Sequence, residues 1–391
     1  MQIKILQGDC IESLKKLKDE SVNTCITSPP YWGLRDYNGE EKQLGLEDTP
    51  EEFVDNLVKV FKEVKRVLRD DGTVWLNLGD TYSSHKDCKS TPQSLAKGMQ
   101  SEVAHVIEKG KSVSRNTKKL KAAGLKNKDL IGIPWRVALA LQQDGWYLRQ
   151  DIIWHKPNPM PESVKDRCTK AHEYIFLLSK QAKYYFDNEA IKEDAVRAGK
   201  IPKGKKYSSE LADDKIGGKH TRETLNEKPV APKRNKRSVW TVTTKPFKGA
   251  HFATFPMDLI EPCVLAGCPE KICVDCGKPY KRVMQKPKQL EVNRNKRSGT
   301  DDRKVGGVLD KYNRENPPID LGVQKQCDCE TNETKAGTVL DPFAGSGTTG
   351  IVAANHARNS VLLELNEEYI KIAKKRIKEQ AGMFAEVYED G

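Results

Sequence analysis

One alternation, strand then helix then strand, is written at both ends of this chain, and it restricts the fold more than any other feature. At the start, "IKILQG" has the apolar density of a strand, "DCIESLKKLKD" the spacing of a short helix, and "VNTCITS" the look of a second strand. After a proline turn, "TPEEFVDNLVKVFKEVKRVLRDDG" predicts a long helix, with Thr49 as N-cap, Pro50 in the first turn, Glu51 and Glu52 set against the dipole, and Gly72 as its stop. "TVWLNLGD" then predicts a buried strand. At the far end, "AGTVL", "DPFAGSGTTG", "TTGIVAANHAR", "SVLLEL" and "NEEYIKIAKKRIKEQ" read as strand, glycine-rich turn, helix, strand and amphipathic helix. Such an order predicts an α/β protein on a parallel sheet.

Between the two ends the pattern is interrupted. From Thr81 to about Asp129 the chain is polar and lysine-rich, and "SSHKDCKSTPQS" reads as a flexible segment. Order resumes with "IPWRVALALQQDG", a helix with Pro134 at its start and Gly145 at its end. "YLRQDIIWHK" and "HEYIFLLSK" follow as strands joined by "PNPMPESVKDRC". A second polar stretch, about Asn188 to Lys248, holds "PKGKKYSS", "KIGGKH" and "APKRNKRS". It reads either as solvated loop or as the place where an α/β enzyme would bind nucleic acid. The 391 residues carry a net charge of +12, which favours a polyanionic partner, although surplus lysine also serves solubility. "MQIKILQGDC" lacks the pattern of a signal peptide and no run is apolar enough to span a bilayer, so a cytoplasmic protein without a membrane partner is expected.

Of the 10 cysteines, Cys10, Cys25, Cys88, Cys168, Cys263 and Cys268 stand singly and read as buried or reduced thiols. Cys273 and Cys276 form C-x-x-C followed by Gly277, and Cys327 and Cys329 form C-x-C. Four thiolates could hold a tetrahedral structural zinc and so stabilise a module too polar for a core of its own; unligated thiols are the alternative and redox activity a third reading.

Gly345, Gly347 and Gly350 match G-x-G-x-x-G after a strand, and Glu364 closes the next strand about 20 residues later. Glycines let the backbone approach a ligand, and the acid can bond ribose hydroxyls, which suits a dinucleotide or another adenosine-containing cofactor. Only residues 351–391 follow, too few for the second half of a dinucleotide fold, and Asp341, Pro342 and Phe343 separate the strand from the glycines.

The other special turn is "TSPPYW", residues 27–32, where two prolines end a strand abruptly. Together with "DPFAGSGTTG" near the C-terminus it resembles the permuted, β-class DNA amino-methyltransferases, which use S-adenosylmethionine. "HFATFP" at His251 to Pro256, the acid at Glu364, the "GDC" turn at Asp9 and "IIWHKPNPMPES" add to the likeness, which covers roughly residues 1–80, 130–185, 235–270 and 336–385. The resemblance implies a Rossmann-like methyltransferase fold with a mostly parallel seven-stranded sheet and a circularly permuted motif order. It implies a catalytic half over 1–186 with a flexible insertion at about 81–130, a target-recognition insertion over 187–248, and a cofactor half over 249–270 and 336–391. The cysteine-pair insertion, 271–335, interrupts the family pattern.

For such an enzyme the chemistry is an in-line displacement on a sulfonium, so the protein mainly positions a poorly nucleophilic amine. The Ser28 hydroxyl and the Pro29 carbonyl, held extended by Pro30, are expected to accept from its two N–H groups, and Tyr31 to stack on a base flipped from the duplex. Trp32 reads as a lid or core aromatic. By resemblance, Asp341, Pro342, Phe343, Gly345 and Gly347 form the cofactor's methionine-side loop, Glu364 takes the ribose, and Phe255 contributes to the pocket. Asp9 lies near the adenine or caps a helix, and His251 is structural. Ser28 at the first motif position favours cytosine N4, with adenine N6 as the alternative; attack through ring carbon would need a Pro-Cys motif, which does not replace "SPPY" here. A reading of another class is a basic zinc-containing DNA-binding protein with an inactive site. Phosphate contacts are expected from Lys233, Arg234, Lys236 and Arg237, with Lys278, Lys281 and Arg282 as further candidates. The expected partners are DNA, a cognate restriction endonuclease and a second copy in a homodimer.

Overall fold

In the computed structural model, residues 1–33, 43–83, 123–195, 233–244, 255–285, 318–381 and 386–390 are described. Most of the expected flexible insertion, Cys88, His251, "PKGKKYSS" and "KIGGKH" lie outside them. The chain divides into two units: Met1–Asp187 with Arg237–Tyr280 and Lys325–Gly391, and Asn188–Lys236 with Lys281–Gln324.

In the first unit the strands are β1 (Gln2–Gln7), β2 (Val22–Thr27), β3 (Leu68–Leu78), β4 (Tyr147–His155), β5 (His172–Ser179), β6 (Val239–Thr241), β7 (Ile272–Cys273), β8 (Thr334–Lys335), β9 (Thr338–Asp341), β10 (Asn359–Glu364) and β11 (Glu386–Asp390). The helices are α1 (Cys10–Lys15), α2 (Pro50–Val67), α3 (Ile133–Gln143), α4 (Met257–Gly267), α5 (Thr348–Asn355) and α6 (Glu367–Gln380). Nine strands form one sheet in the order β11-β1-β10-β9-β2-β3-β5-β4-β6. The seven central ones make the expected sheet, and the short β11 and β6 extend its two edges. Only β5 runs against its neighbours, β3 and β4.

Alternation along the strands sends apolar side chains to both faces. Leu6 of β1 and Leu363 of β10 join the layer of α1, α2 and α3, with Leu14, Phe53, Phe61, Val137 and Leu141. Ile3, Ile5 and Leu362 join the opposite layer with Ile351 of α5 and Ile370 and Ile377 of α6. Strands covered on both sides read as near-continuous apolar runs, and all six residues of β2 are buried.

The capping of α2 is as expected, with Glu52 N donating to Thr49 Oγ1 at 3.1 Å and the Glu52 side chain reaching back. Its end is not. The helix stops at Val67, and Leu68 already pairs with Val22 as the first residue of β3, before a register shift ahead of Thr73. Gly72 belongs to that irregularity: a Cβ there would lie 2.5 Å from Leu68 Cγ. Glycine is required by a bulge, and the helix is ended by strand pairing.

In the second unit, Glu193–Asp194 pairs antiparallel with Lys233–Arg234, and Lys281–Gln285 with Ile319–Gln324. Among the described residues no helix is long and apolar enough to cross a membrane.

Candidate active site

From β9 the chain passes through α5 to β10 on one side, and from β2 through α2 to β3 on the other. The direction of winding therefore switches between β9 and β2, and in open α/β sheets ligands lie at the carboxyl ends of strands beside such a point. Because β10, β9, β2 and β3 are parallel neighbours, Glu364, Asp341, Ser28 and Asn77 fall along one sheet edge. The antiparallel β5 enters at the same edge, bringing Glu173, and β4 leaves there towards Lys156.

Ser28 follows β2 and is half-buried, next to the buried Pro29. Its Oγ accepts from Asn77 Nδ2 at 3.3 Å. Asn77 Nδ2 also donates to Tyr31 Oη at 2.9 Å and to Glu173 Oε2 at 3.2 Å, while Tyr31 Oη donates to Glu173 Oε2 at 2.7 Å. Lys156 completes the group with an ion pair to Glu173 and a position 4.2 Å over the Trp154 ring. The Tyr31 ring rests on Gly79, where a Cβ would come within 2.5 Å of Tyr31 Cε2. The proline turn is thus clamped from β3, β4 and β5. Trp32 is buried in the α2-side core and donates from Nε1 to Glu47 O at 3.0 Å, which makes it a core aromatic.

Asn77, Glu173 and Lys156 were not singled out from the sequence. A signal existed: Asn77 is one polar residue inside "TVWLNLGD", and an amide in a buried strand needs a partner. Asn77 is 4% exposed and its Oδ1 has no hydrogen-bond partner among the described residues.

On the other side of the switch point, Asp341 is fully buried. Its Oδ1 accepts from Thr27 Oγ1 at 2.6 Å and Phe343 N at 3.1 Å, and its Oδ2 from Thr349 Oγ1 at 2.6 Å. The carboxylate therefore joins β2, β9 and α5 and shapes the loop from within; burial raises it to about 6 against the pull of these donors. Phe343 is half-buried against the α2-side core, and Pro342 is buried. Gly345 and Gly347 have φ of +51° and +75°, left-handed values that favour glycine. Gly347 caps α5, and Arg376 of α6 holds the turn by donating to Ser346 O at 2.7 Å and Thr348 Oγ1 at 3.1 Å. A Cβ on Gly350 would lie 2.8 Å from Leu362 Cδ1, so the third glycine sets how closely α5 packs on β10.

Glu364 Oε2 accepts from Gly345 N at 2.7 Å and Oε1 from Asn366 N at 2.9 Å. Burial pushes this carboxyl to about 7 in spite of both donors. A carboxylate has about four lone-pair sites, so two remain for a ligand's hydroxyls. Asp9 caps α1, its Oδ1 accepting from Ile11 N and Glu12 N, each at 3.0 Å. Phe255 is half-buried just ahead of α4.

The four paired cysteines converge, the Sγ atoms of Cys273, Cys276, Cys327 and Cys329 lying within 4.8 Å of one another. Of the single thiols, Cys25, Cys263 and Cys268 are buried, Cys10 is half-buried and Cys168 is exposed. Among the basic candidates, Lys233 and Arg237 are exposed, whereas Arg234 is bonded to Glu193 at 2.9 Å and Arg282 to Asp320 at 2.8 Å.

The parallel sheet, its switch point and the two turns that meet there define a class, the nucleotide-cofactor α/β enzymes; comparison with known proteins narrows it. The N6/N4 DNA methylase family matches residues 22–276 and 328–375, and this chain belongs to it. It is 38% identical over 374 residues to the type II methyltransferase M.Cfr9I of Citrobacter freundii, covering 95% of this chain and 87% of that one. It is 38% identical over 380 residues to the type II methyltransferase M.SmaI of Serratia marcescens, covering 96% and 90%. The PvuII cytosine-N4-specific DNA methyltransferase shares the fold at a TM-score of 0.50 and 16% identity, over 96% of this chain and 87% of that one.

Proposed function

We propose that this DNA methylase transfers the methyl group of S-adenosylmethionine to the exocyclic N4 of cytosine in duplex DNA, after flipping the base from the stack. The observation that carries this reading is the Ser28 hydroxyl oxygen, a neutral acceptor at the switch point that already accepts one bond, from Asn77. A hydroxyl oxygen has two lone pairs, and the second suits the target N–H. The Pro29 carbonyl is the second acceptor. With both N–H groups held, the nitrogen lone pair is favoured out of the ring plane and towards the sulfonium, and the displaced thioether leaves in line. Tyr31, whose ring is set on Gly79 and whose hydroxyl is bonded to Asn77 and Glu173, offers the base a stacking face.

The donor is assigned to the adjoining pocket: Glu364 to the ribose diol, the Asp341-to-Gly347 turn to the methionine side, and Asp9 and Phe255 to the adenine end. Residues 187–248 are assigned to target recognition, with Lys233, Arg234, Lys236 and Arg237 towards phosphate. A cognate endonuclease cutting the same sequence is the expected companion.

The test is to incubate the protein with duplex DNA and S-adenosylmethionine, digest to nucleosides and identify the product by mass. N4-methylcytidine is expected. N6-methyladenosine would overturn the choice of base, and absence of any product across varied DNA would favour a binding protein with an inactive site.

A further inference from the structure

The converging thiols are the part of the molecule that methyl transfer does not use. They come from two segments far apart in the chain. Cys273 and Cys276 flank a tight turn after β7, in which Gly277 N donates to Cys273 O at 3.0 Å and Cys273 N to Lys278 O at 3.0 Å. Gly277 takes a φ of +67°, so the turn is built on a left-handed residue. Cys327 and Cys329 lie in a stretch, residues 321–336, that has no buried residue at all. Its first-unit part, residues 325–336, is tied to the rest of that unit by a two-residue ladder, Thr334 with Cys273 and Lys335 with Ile272, by the bond from Val274 N to Glu333 O at 3.3 Å and by that from Asn359 Nδ2 to Ala336 O at 3.4 Å. Ile272 and Cys273 are buried, but Thr334 and Lys335 are exposed, so the stretch buries no side chain of its own at this short ladder, which is weak support.

From this we infer that Cys273, Cys276, Cys327 and Cys329 form a tetrathiolate site for a structural zinc ion, which fastens residues 325–336 to the turn at 273–276. Tetrahedral zinc holds sulfur at about 2.3 Å, which sets S···S edges of about 3.8 Å. Four Sγ atoms within 4.8 Å of one another need only small side-chain movements to reach that cage. Two disulfides would require S–S bonds of about 2.05 Å and would use the sulfurs as separate pairs, leaving the fourfold convergence without a purpose.

The surroundings suit the charge. Zinc with four thiolates carries a net charge of about −2, which is stabilised by nearby N–H groups and cations. The Lys325 ammonium sits beside the second pair, donating to Cys329 O, to Thr331 O at 2.7 Å and to Asn332 Oδ1 at 3.4 Å. On the far side of the first pair, a Cβ on Gly277 would lie only 2.6 Å from Arg69 Nη1, so a guanidinium abuts the turn. The fastened stretch runs directly into β9: Gly337 N donates to Pro269 O at 3.2 Å, and Asp341 ends the strand that starts at Thr338. All four coordination positions are filled by protein, so the metal is structural and takes no part in methyl transfer.

Elemental analysis of the purified full-length chain should find about one zinc per chain, released in step with four thiols when a mercurial is titrated in. Replacing zinc by Co2+ should give intense thiolate-to-cobalt charge transfer and the ligand-field bands of tetrahedral cobalt. The C327S/C329S double variant should lose the metal, and C168S, at an exposed thiol outside the cluster, should keep it. A metal-free native chain with all four thiols freely reactive, or iron in place of zinc, would overturn the inference. If the double variant does not fold, the metal content and cobalt spectrum of the unaltered chain still decide. The result is independent of which base is methylated.

Discussion

Ser28, Glu173 and Glu364 each have a role that a single substitution can separate from folding. Ser28→Ala removes one acceptor from the target amine, and turnover should fall on the order of 100-fold, the scale seen when one positioned hydrogen-bonding group is deleted. Donor affinity, measured by calorimetry, should change little; equal losses in both would remove Ser28 from its assigned place. Glu173 acts one step back, as a positioning residue. In Glu173→Gln the ion pair with Lys156 is lost while a bond to Tyr31 remains open, so a fall in kcat with KM for the donor unchanged is expected, and Tyr31→Phe should reproduce part of it. Glu364 gives a pH signature. Its carboxyl is raised from 4.5 to about 7, so the folded protein without donor holds the proton more tightly than the unfolded chain does. Ionising it therefore lowers stability as pH rises from 4.5 to about 7. Donor binding needs the ionised acceptor and should strengthen over the upper part of that window. Opposite trends in melting temperature and affinity, both flattened by Glu364→Gln, are the expected result.

At the level of elements, the glycine turn is set by two different demands. Gly347 is required by backbone conformation, and Gly350 by contact with Leu362. Gly350→Ala should destabilise by about 1–3 kcal/mol, as overpacking of a filled interface does, and a urea titration with unchanged m-value would show it. Helices with strong caps, such as α2, and strands buried on both faces, such as β2, were legible from the sequence because local chemistry decides them. The end of α2 was not, since pairing of Leu68 with Val22 overrode the helical pattern before Gly72 was reached. The site was legible to the same depth. "SPPY" and "DPFAG" mark their turns by proline and glycine, but the clamp on Tyr31 joins residues 77, 156 and 173, which only the sheet brings together. The three bonds that Asp341 accepts, from Thr27, Thr349 and the Phe343 amide, were likewise not legible, because Thr27 lies more than 300 residues away in the chain.

For the whole molecule, the net charge of +12 implies DNA affinity that falls steeply with salt. A plot of log affinity against log salt should be linear, and replacing the exposed Lys233 and Arg237 by alanine should flatten its slope by roughly 2. An unchanged slope would place phosphate binding elsewhere.

The order of the sheet has a consequence for how the molecule is made. β1 and β2 are synthesised first, yet they are not neighbours, because β10 and β9, built from residues more than 300 positions later, lie between them. While the chain is emerging, the two strands have no edge to share, and α1 has no sheet to cover on the β10 side. Much of the native hydrogen bonding at the centre of the sheet, including Thr27 to Asp341, therefore forms only when the last segment arrives. Such long-range closure makes for slow folding and leaves apolar strand edges exposed to other chains in the interval. A ribosome paused before residue 338 would hold a nascent chain that carries the Ser28 side of the site but lacks the strands that end in Asp341 and Glu364.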